Sequence, residues 1–260
     1  MKIAISGKGG VGKTTVAALL IRALNDDNKK VLAIDADPDA NLAAALGIKD
    51  ADKIVPIADM KELIAERTES QPGSIGGFFK LNPRVDDLPD TLSARLGNIK
   101  MMKLGGVKGG GGGCICPEST LLKALVTYIT LQRDEVVVMD MEAGLEHLGR
   151  ATAMAVNRLI IVVEPGQRSI ETAFHIKKLA GDIRLNRLSV VGNKIRNQSD
   201  EAFLRERLPG FDIAGFLDYD NTLIEADLKG ISPYDTDTRL KDKIRGIVNL
   251  LMQPGQASPT

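Results

Sequence analysis

The sequence lacks any surplus of charge, and it also lacks a long apolar run. Its 260 residues contain 34 Lys and Arg against 34 Asp and Glu. Proteins that bind nucleic acid usually carry a basic surplus that displaces counterions from phosphates, so we expect no nucleic-acid partner. A membrane span needs about 18 consecutive apolar residues, and no run in the chain approaches that length. We therefore expect no stable membrane association.

Cysteine is scarce, and both copies lie in one short segment. Cys114 and Cys116 form a C-x-C pair, too close in sequence for a relaxed disulfide. The first residues, MKIAIS, are typical of a strand rather than of a charged and then apolar leader, so we expect a cytoplasmic protein in a reducing compartment. Thiolate chemistry is then the better interpretation, the alternative being two small hydrophobic side chains in a loop.

Two thiolates are fewer than the four that a structural Zn²⁺ site uses. A two-fold axis would supply the second pair from a partner chain. Thiolate-rich sites suit Zn²⁺, Ni²⁺ or Cu⁺, and the number of thiolates does not choose among them. Pro117 directly follows Cys116 and begins a predicted helix, whose positive N-terminal end favours thiolate there.

What the sequence does contain is an alternation of apolar strands with helices. Predicted strands are Lys2–Ser6, Val31–Asp35, Val136–Asp140, Leu159–Glu164, Leu188–Asn193 and, more weakly, Ile213–Leu217. Predicted helices are Lys13–Leu24, Ile57–Glu69, Pro117–Leu131, Glu146–Val156, Ser169–Ile183, Asp200–Arg207 and Arg239–Leu251. The pattern indicates the α/β class: a single domain with a mostly parallel twisted sheet and helices on both faces.

The domain is expected to span residues 1–252, followed by a disordered tail at 253–260. A short strand is predicted near Phe78–Leu81. Residues 105–116 are so rich in glycine that we expect an irregular loop carrying the C-x-C pair.

The strongest motif is Gly-x-x-x-x-Gly-Lys-Thr, placed between a predicted strand and a predicted helix. This is the context of a phosphate-binding P-loop, in which backbone N–H groups and the helix N-terminus converge on phosphates. Lys13 should reach the β- and γ-phosphates of ATP, and the Thr14 hydroxyl should bind Mg²⁺. The expected nucleotide-binding residues here are Gly7, Lys8, Gly9, Gly10, Val11, Gly12, Lys13, Thr14 and Thr15.

Polar residues close the apolar strands at the edge where parallel sheets bind ligands. Asp35 and Asp37 follow one strand, and Asp140 ends another. Carboxylates repel phosphate unless a metal ion or water lies between them, so we expect Asp37 and Asp140 to act near Mg²⁺. Asn193 and Lys194 end a further strand.

The form GKGGVGKT, with its additional Lys8, resembles the deviant P-loop of the MinD, ParA and nitrogenase-iron-protein ATPases. The resemblance implies a single-domain P-loop NTPase and a dimer in which Lys8 reaches the partner's nucleotide. It makes Lys8, Lys13, Asp37 and Asp140 the expected catalytic residues, and residues 141–147 the second switch. It also implies that Asn193 and Lys194 contact adenine. Residues 218–220 are a weaker candidate, with Glu164, for the wall around the base or ribose.

Within that family the segments DADPD, CICPE, VVVMDMEAGLEHLGR and EPGQRSIETA resemble the CooC-type accessory ATPases of carbon monoxide dehydrogenase. The resemblance runs from Met1 to about Asp242. It implies a nucleotide- and metal-dependent homodimer that holds Ni²⁺ or Zn²⁺ between paired Cys114 and Cys116. The implied client is carbon monoxide dehydrogenase or a related nickel enzyme, and Ile54–Asn82 is a segment where recognition of that client could differ.

Other members of the family suggest alternatives. A nitrogenase-type reductase needs a further cluster cysteine after residues 141–147, and an iron–sulfur scaffold needs a C-x-x-C near the C-terminus; both are missing. A MinD- or ParA-like switch that positions or partitions on a membrane or DNA remains open, because Arg239–Leu251 is a basic amphipathic helix. We favour packing of that helix on the sheet. His147 is more readily a structural or switch residue than a metal ligand.

Overall fold

The computed structural model describes residues 1–70, 78–105, 116–142, 155–235 and 237–253. Its centre is an eight-stranded sheet with the strand order β3-β4-β2-β5-β1-β6-β7-β8. All neighbouring strands are parallel except β3 and β4, which form an antiparallel hairpin. The strands are β1 (Lys2–Ser6), β2 (Val31–Ala36), β3 (Ala94–Leu96), β4 (Ile99–Lys103), β5 (Val136–Met141), β6 (Arg158–Val163), β7 (Leu188–Ile195) and β8 (Asp212–Asp218).

The helices cover both faces of this sheet. In the described parts of the chain they are α1 (Lys13–Asp26), α2 (Leu42–Ala45), α3 (Lys61–Thr68), α4 (Leu88–Thr91), α5 (Pro117–Gln132), α6 (Gln167–Asp182), α7 (Gln198–Arg207), α8 (Asn221–Leu228) and α9 (Thr238–Met252). Short 3₁₀ turns occur at Ala51–Lys53, Ile57–Asp59 and Pro233–Asp235. The expected fold class is therefore confirmed.

Each strand contributes alternate residues to two separate cores, because successive side chains point to opposite faces. On β2, Leu32 and Ile34 join the core beneath α5 and α6, whereas Val31 and Ala33 join the core beneath α1 and α9. Both sets are apolar, which explains why the parallel strands are unbroken apolar runs in sequence.

Strand β1 is the topological switch point of the sheet. It pairs with β5 on one side and with β6 on the other, although both follow it far along the chain. The chain leaves β1 toward β2 on one side, and it leaves the neighbouring β6 toward β7 on the other. Such a divergence opens a crevice at the carboxyl ends, where open α/β sheets bind ligands. The loop Gly7–Gly12 lies in that crevice.

The region between α2 and α5 departs most from expectation. The predicted strand at Phe78–Leu81 is wrong: those residues have no regular structure. The strands of this region are β3 and β4, and β4 had no apolar-run signal because lysines interrupt it. Buried Lys103 is accommodated because its ammonium donates a 2.7 Å hydrogen bond to the Ala51 carbonyl oxygen.

Several further expectations meet the structure only in part. The helix predicted over Ile57–Glu69 is instead a 3₁₀ turn at Ile57–Asp59 followed by α3. Most of the predicted helix at Glu146–Val156 lies outside the described residues, as does the tail from residue 254 onward.

Helix α9 uses its apolar stripe within the fold. Leu240, Ile244, Ile247, Val248 and Leu251 are buried against α1 and β8. Packing of this helix on the body of the domain, the interpretation favoured from the sequence, is confirmed. No helix within the described ranges is long and apolar enough to cross a membrane.

Candidate nucleotide-binding site

The loop Gly7–Thr15 runs from the carboxyl end of β1 into the first turn of α1. Gly12 forms the N-cap of α1 in the left-handed region, with φ of 93°, a conformation that costs other residues free energy. Its missing side chain is also needed for space, since a Cβ there would overlap the side-chain amide of Asn193. At Gly7 a Cβ would lie 2.5 Å from the Val162 carbonyl oxygen. The loop is thus fixed by close backbone approach at both ends.

The end of β7 is tied to this loop by two side chains. The Asn193 amide donates a 2.8 Å hydrogen bond to the Val11 carbonyl oxygen. The Lys194 ammonium donates a 2.6 Å hydrogen bond to the Gly10 carbonyl oxygen. Lys194 itself has φ of 58°, in the left-handed region. Asn193 and Lys194 therefore support the phosphate loop, and their expected contact with adenine stays a prediction.

Glu164, at the end of β6, forms ion pairs with two lysines of the site. One of its carboxylate oxygens lies 3.0 Å from the Lys194 ammonium and the other 3.9 Å from the Lys8 ammonium. It is not among the residues that line the neighbouring cavity. Glu164 is thus a counter-ion to Lys8 and Lys194, a pairing that sequence spacing could not reveal, and its place near the base or ribose stays a prediction.

Three charged side chains form a row across neighbouring strands on the α1 face of the sheet. Asp35 on β2 is in register with Lys103 on β4 and with Asp140 on β5. Asp35 and Asp140 are fully buried. Burial raises the pKa of Asp35 to about 6 and that of Asp140 to about 7, and the charge of Asp35 adds to the effect on Asp140.

The Asp140 carboxylate fits a magnesium site. The Thr14 hydroxyl and the Lys13 ammonium lower its pKa only in part. Within the described chain, neither carboxylate oxygen has a hydrogen-bond partner of good geometry, although the Thr14 hydroxyl is near enough to act on the pKa. Buried carboxylate oxygens without partners are costly unless a cation or water completes them. A magnesium ion with its water ligands would do so, between Asp140 and Thr14 at the start of α1.

The loop that carries Asp37 is closed by its own side chains. The Asp35 carboxylate accepts hydrogen bonds from the Leu42 amide at 2.9 Å and the Asp37 amide at 3.3 Å. Asp37 is partly exposed, and its carboxylate accepts a 3.0 Å hydrogen bond from the Asp39 amide. The structure therefore brings Asp37 to the same end of the sheet as Asp140.

A cavity of about 610 Å³ adjoins the loop and is large enough for a nucleoside. The residues expected from the sequence that line it are Gly12, Thr14, Thr15, Asn193, Lys194, Asp218, Tyr219 and Asp220. Sequence reasoning missed the remaining wall, which is formed by Asn41, Ala44, Ala45, Leu223, Gly230, Ile231 and Pro233. Nothing in their local sequence marks them, because the chain brings them together only through the packing of α2 and α8.

Cys116 is the N-cap of α5, with a partly exposed thiol whose sulfur accepts the Ser119 amide at 3.5 Å. Cys114, His147 and most of residues 141–147 lie outside the described residues. Among the described residues, no group of three or more His, Cys, Asp or Glu side chains is arranged to hold a metal ion.

A glycine-rich loop at the switch point, a buried lysine and an orphaned carboxylate together define a P-loop nucleotide-binding protein. Residues 2–234 match the family described as CobQ/CobB/MinD/ParA nucleotide binding domain. The chain belongs to this family and is an ATPase.

Two relatives cover nearly the whole chain. The carbon monoxide dehydrogenase accessory protein CooC of Rhodospirillum rubrum is 42% identical over 255 residues, which is 97% of each chain. An uncharacterised ATP-binding protein of Methanocaldococcus jannaschii is also 42% identical, over 97% of this chain and 98% of its own. The resemblance to CooC-type proteins stated from the motifs is thereby confirmed.

Solved structures agree on the fold. MinD of Aquifex aeolicus superposes with a TM-score of 0.67 at 20% identity, covering 100% of this chain and 99% of its own. MinD of Pyrococcus horikoshii, complexed with Mg-ADP, gives a TM-score of 0.67 at 20% identity, with 97% and 96% of the chains covered. At this identity the likeness concerns the fold alone.

Proposed function

We propose that the protein is a dimeric, ATP-hydrolysing metallochaperone that assists nickel insertion into carbon monoxide dehydrogenase or a related nickel enzyme. The observation that carries this proposal is the likeness to CooC, at 42% identity over 97% of each chain. A shared fold alone does not imply a shared function. A likeness of this extent, however, includes the nucleotide site and the surfaces around it.

The proposed nucleotide site uses the loop Gly7–Thr15 for the phosphates, with its backbone N–H groups and the Lys13 ammonium as donors. The cavity beside Asn193 is proposed to hold the base and ribose. Thr14 directly and Asp140 through water are proposed to hold Mg²⁺, which when bound neutralises phosphate charge. This assignment is supported by the buried, unpartnered oxygens of Asp140.

Hydrolysis is assigned to Asp37, which would orient the attacking water, and to lysines that stabilise charge on the phosphates. Lys13 acts within its own protomer, whereas Lys8 is proposed to act on the nucleotide of the partner. The Lys8 side chain is about one-third exposed, and its ammonium lies 3.9 Å from a carboxylate oxygen of Glu164. Exposed ion pairs of this kind contribute little free energy, so Lys8 can exchange Glu164 for a phosphate at small cost.

The proposed cargo is Ni²⁺ or Zn²⁺, held by Cys114 and Cys116 of two protomers. A four-thiolate site of this kind suits either ion. The proposal is supported by the place of Cys116 at the N-cap of α5, where a helix N-terminus stabilises negative charge on sulfur. Because ATP and Lys8 act at the same dimer interface, hydrolysis would separate the paired cysteines and release the metal to the client.

The alternative of a positioning switch on membranes or DNA is less well supported. A membrane anchor formed by α9 would have to withdraw Ile244 and its neighbours from the core. The chain also carries no net charge for binding DNA.

The proposal is tested by measuring bound Ni²⁺ and Zn²⁺ together with molecular mass, with and without ATP, for the wild type and a Cys114→Ser/Cys116→Ser variant. We expect about one metal ion per dimer in the wild type and none in the variant. Since the chain has only two cysteines, no other thiolate can compensate. Retained ATP binding in the variant is the control for folding. Metal binding that is unchanged in the variant would refute the cysteine site.

The client is tested separately with a carbon monoxide dehydrogenase that lacks nickel. Its activation by limiting Ni²⁺ should be faster with the wild-type protein and ATP than with the Lys8→Ala or double-cysteine variant. Equal activation by all three proteins would contradict a role in nickel insertion.

A further inference from the structure

Asp35 is a buried carboxylate that the proposed reaction does not use. It lies beside Asp140 on the neighbouring strand, and both side chains are fully buried. Two adjacent buried carboxylates repel each other and lose their hydration, so this arrangement costs folding free energy. The cost of Asp140 is explained by the proposed magnesium site. The cost of Asp35 is offset in part by the neighbouring Lys103, and the remainder needs a separate reason.

The hydrogen bonds of Asp35 supply that reason. One carboxylate oxygen accepts from the Asp37 amide at 3.3 Å and the other from the Leu42 amide at 2.9 Å. These amides are the first and last of the loop Asp37–Leu42. Leu42 is also the first residue of α2, where backbone N–H groups have no acceptor within the helix. A single buried side chain therefore closes both ends of the loop.

The loop that Asp35 closes is anchored at both ends. The Asp35 backbone pairs in the sheet with β4 and β5, and its carbonyl oxygen accepts a 2.8 Å hydrogen bond from the Leu104 amide. The far end of the loop is held too, since Leu42 and Ala43 are fully buried in the core beneath α1. The segment between these fixed points carries Asp37.

We infer that Asp35 is a positioning residue for hydrolysis: by bridging the Asp37 and Leu42 amides, its carboxylate holds Asp37 toward the phosphate loop. The inference rests on the proposed role of Asp37. It predicts that Asp35 affects turnover more than nucleotide affinity, because its carboxylate acts on the Asp37–Leu42 loop, of which only Asn41 lines the proposed nucleotide cavity.

Hydrogen exchange of the Leu42 amide directly tests its hydrogen bond to the Asp35 carboxylate. In the wild type this amide should be protected, against the ordinary rule that amides in the first turn of a helix exchange freely. In Asp35→Asn, one oxygen is replaced by an NH₂ group that cannot accept, so exchange at Leu42 or Asp37 should rise on the order of tenfold. An unprotected Leu42 amide in the wild type overturns the inference even if the variant fails to fold.

Steady-state kinetics test the consequence. Asp35→Asn should lower kcat on the order of tenfold and leave KM and ADP affinity within about twofold, since only the loop geometry changes. Asp39→Asn is the matched control, because Asp39 is an exposed carboxylate of the same loop and its kcat should not change. Because Asp35→Asn also removes the charge that offsets Lys103, kcat is measured well below the melting temperature of the variant, which distinguishes positioning from general destabilisation.

The two proposals fail in different ways. An Asp37→Asn variant that keeps the wild-type kcat refutes the role of Asp37, and exchange at Leu42 still decides whether Asp35 closes the loop. If Asp37→Asn loses activity while Asp35→Asn keeps the wild-type kcat, the positioning role of Asp35 is refuted and the proposed function stands.

Discussion

The side-chain amide of Asn193 donates a 2.8 Å hydrogen bond to the carbonyl oxygen of Val11, and it fills the space that a side chain at Gly12 would need. The end of β7 is thus part of the phosphate loop's support as well as part of the cavity wall. An asparagine at the end of a strand is often only a cap; here it joins two elements that are far apart in sequence.

Replacing Asn193 with Ala should weaken ATP binding about 2- to 10-fold, because one buried neutral hydrogen bond to the loop is lost. Titration with a fluorescent ATP analogue measures this change. Asn197→Ala is the matched control, since Asn197 caps α7 away from the site by accepting the Ser199 amide. That variant should lose about 1 kcal/mol of stability with ATP affinity unchanged. Equal ATP affinities for the two variants would contradict the prediction.

Replacing Gly12 with Ala should weaken ATP binding at least about tenfold and lower the free energy of unfolding by about 1–3 kcal/mol. The left-handed backbone and the contact with Asn193 both oppose a Cβ at this position. Calorimetric titration and urea unfolding measure the two effects. Gly246→Ala in α9, where a Cβ meets nothing within 4 Å, should instead raise stability by about 0.5–1 kcal/mol. A tolerated Ala at position 12 would mean that the loop adopts another conformation.

The pH dependence of stability should reveal the ion pair of Glu135 with Arg133 at the start of β5. The Arg133 guanidinium lowers the pKa of Glu135 from 4.5 to about 2. The ionised carboxylate therefore stabilises the fold above about pH 4.5, and this stabilisation is lost as the pH falls toward 2. Glu135→Gln should cost about 1–3 kcal/mol at pH 7 and little near pH 2, as measured by urea unfolding.

Asp86→Asn provides the comparison for Glu135→Gln. Asp86 also pairs with an arginine two residues away, Arg84, but both side chains of that pair are exposed to solvent. Its removal should change stability little at either pH, because water screens the pair. A cost for Glu135→Gln that does not vary with pH would show that the ion pair is not its source.

Helix α9 should behave as a packed element and not as a membrane anchor. Ile244→Ala should lower the free energy of unfolding by about 2–5 kcal/mol, since Ile244 is fully buried. Leu250→Ala in the same helix should change it by less than about 0.5 kcal/mol, because Leu250 is 50% exposed. The protein should not sediment with anionic vesicles, either with or without ATP. Co-sedimentation that depends on ATP would return the membrane switch to consideration.

The parts of the fold that the sequence predicts are those with strong local signals. Strand β1 and helix α1 flank the glycine motif, and the apolar runs at β2, β5, β6 and β7 leave little choice of conformation. The phosphate loop could be placed because the reason for its glycines is local. The same holds for Cys116, whose position before Pro117 predicted a helix start that the structure contains.

The parts that could not be predicted depend on contacts between distant residues. Strand β4 carries Lys103, which can be buried because the Ala51 carbonyl oxygen accepts its hydrogen bond and Asp35 offsets its charge. The pairing of Glu164 with Lys8 and Lys194 joins the ends of β1, β6 and β7. The wall formed by Ile231 and Pro233 requires α8 to be in place. Short-range patterns contain no information on these contacts.

The central position of β1 has a consequence for the order of events during synthesis. This strand leaves the ribosome before the other strands, yet its sheet neighbours begin only at Val136 and Arg158. Until both have emerged, the glycine loop has no flanking strands, and Asn193 must follow later still to close it. A nascent chain that ends before Asn193 lacks part of the site, so nucleotide capture must wait until that residue has emerged.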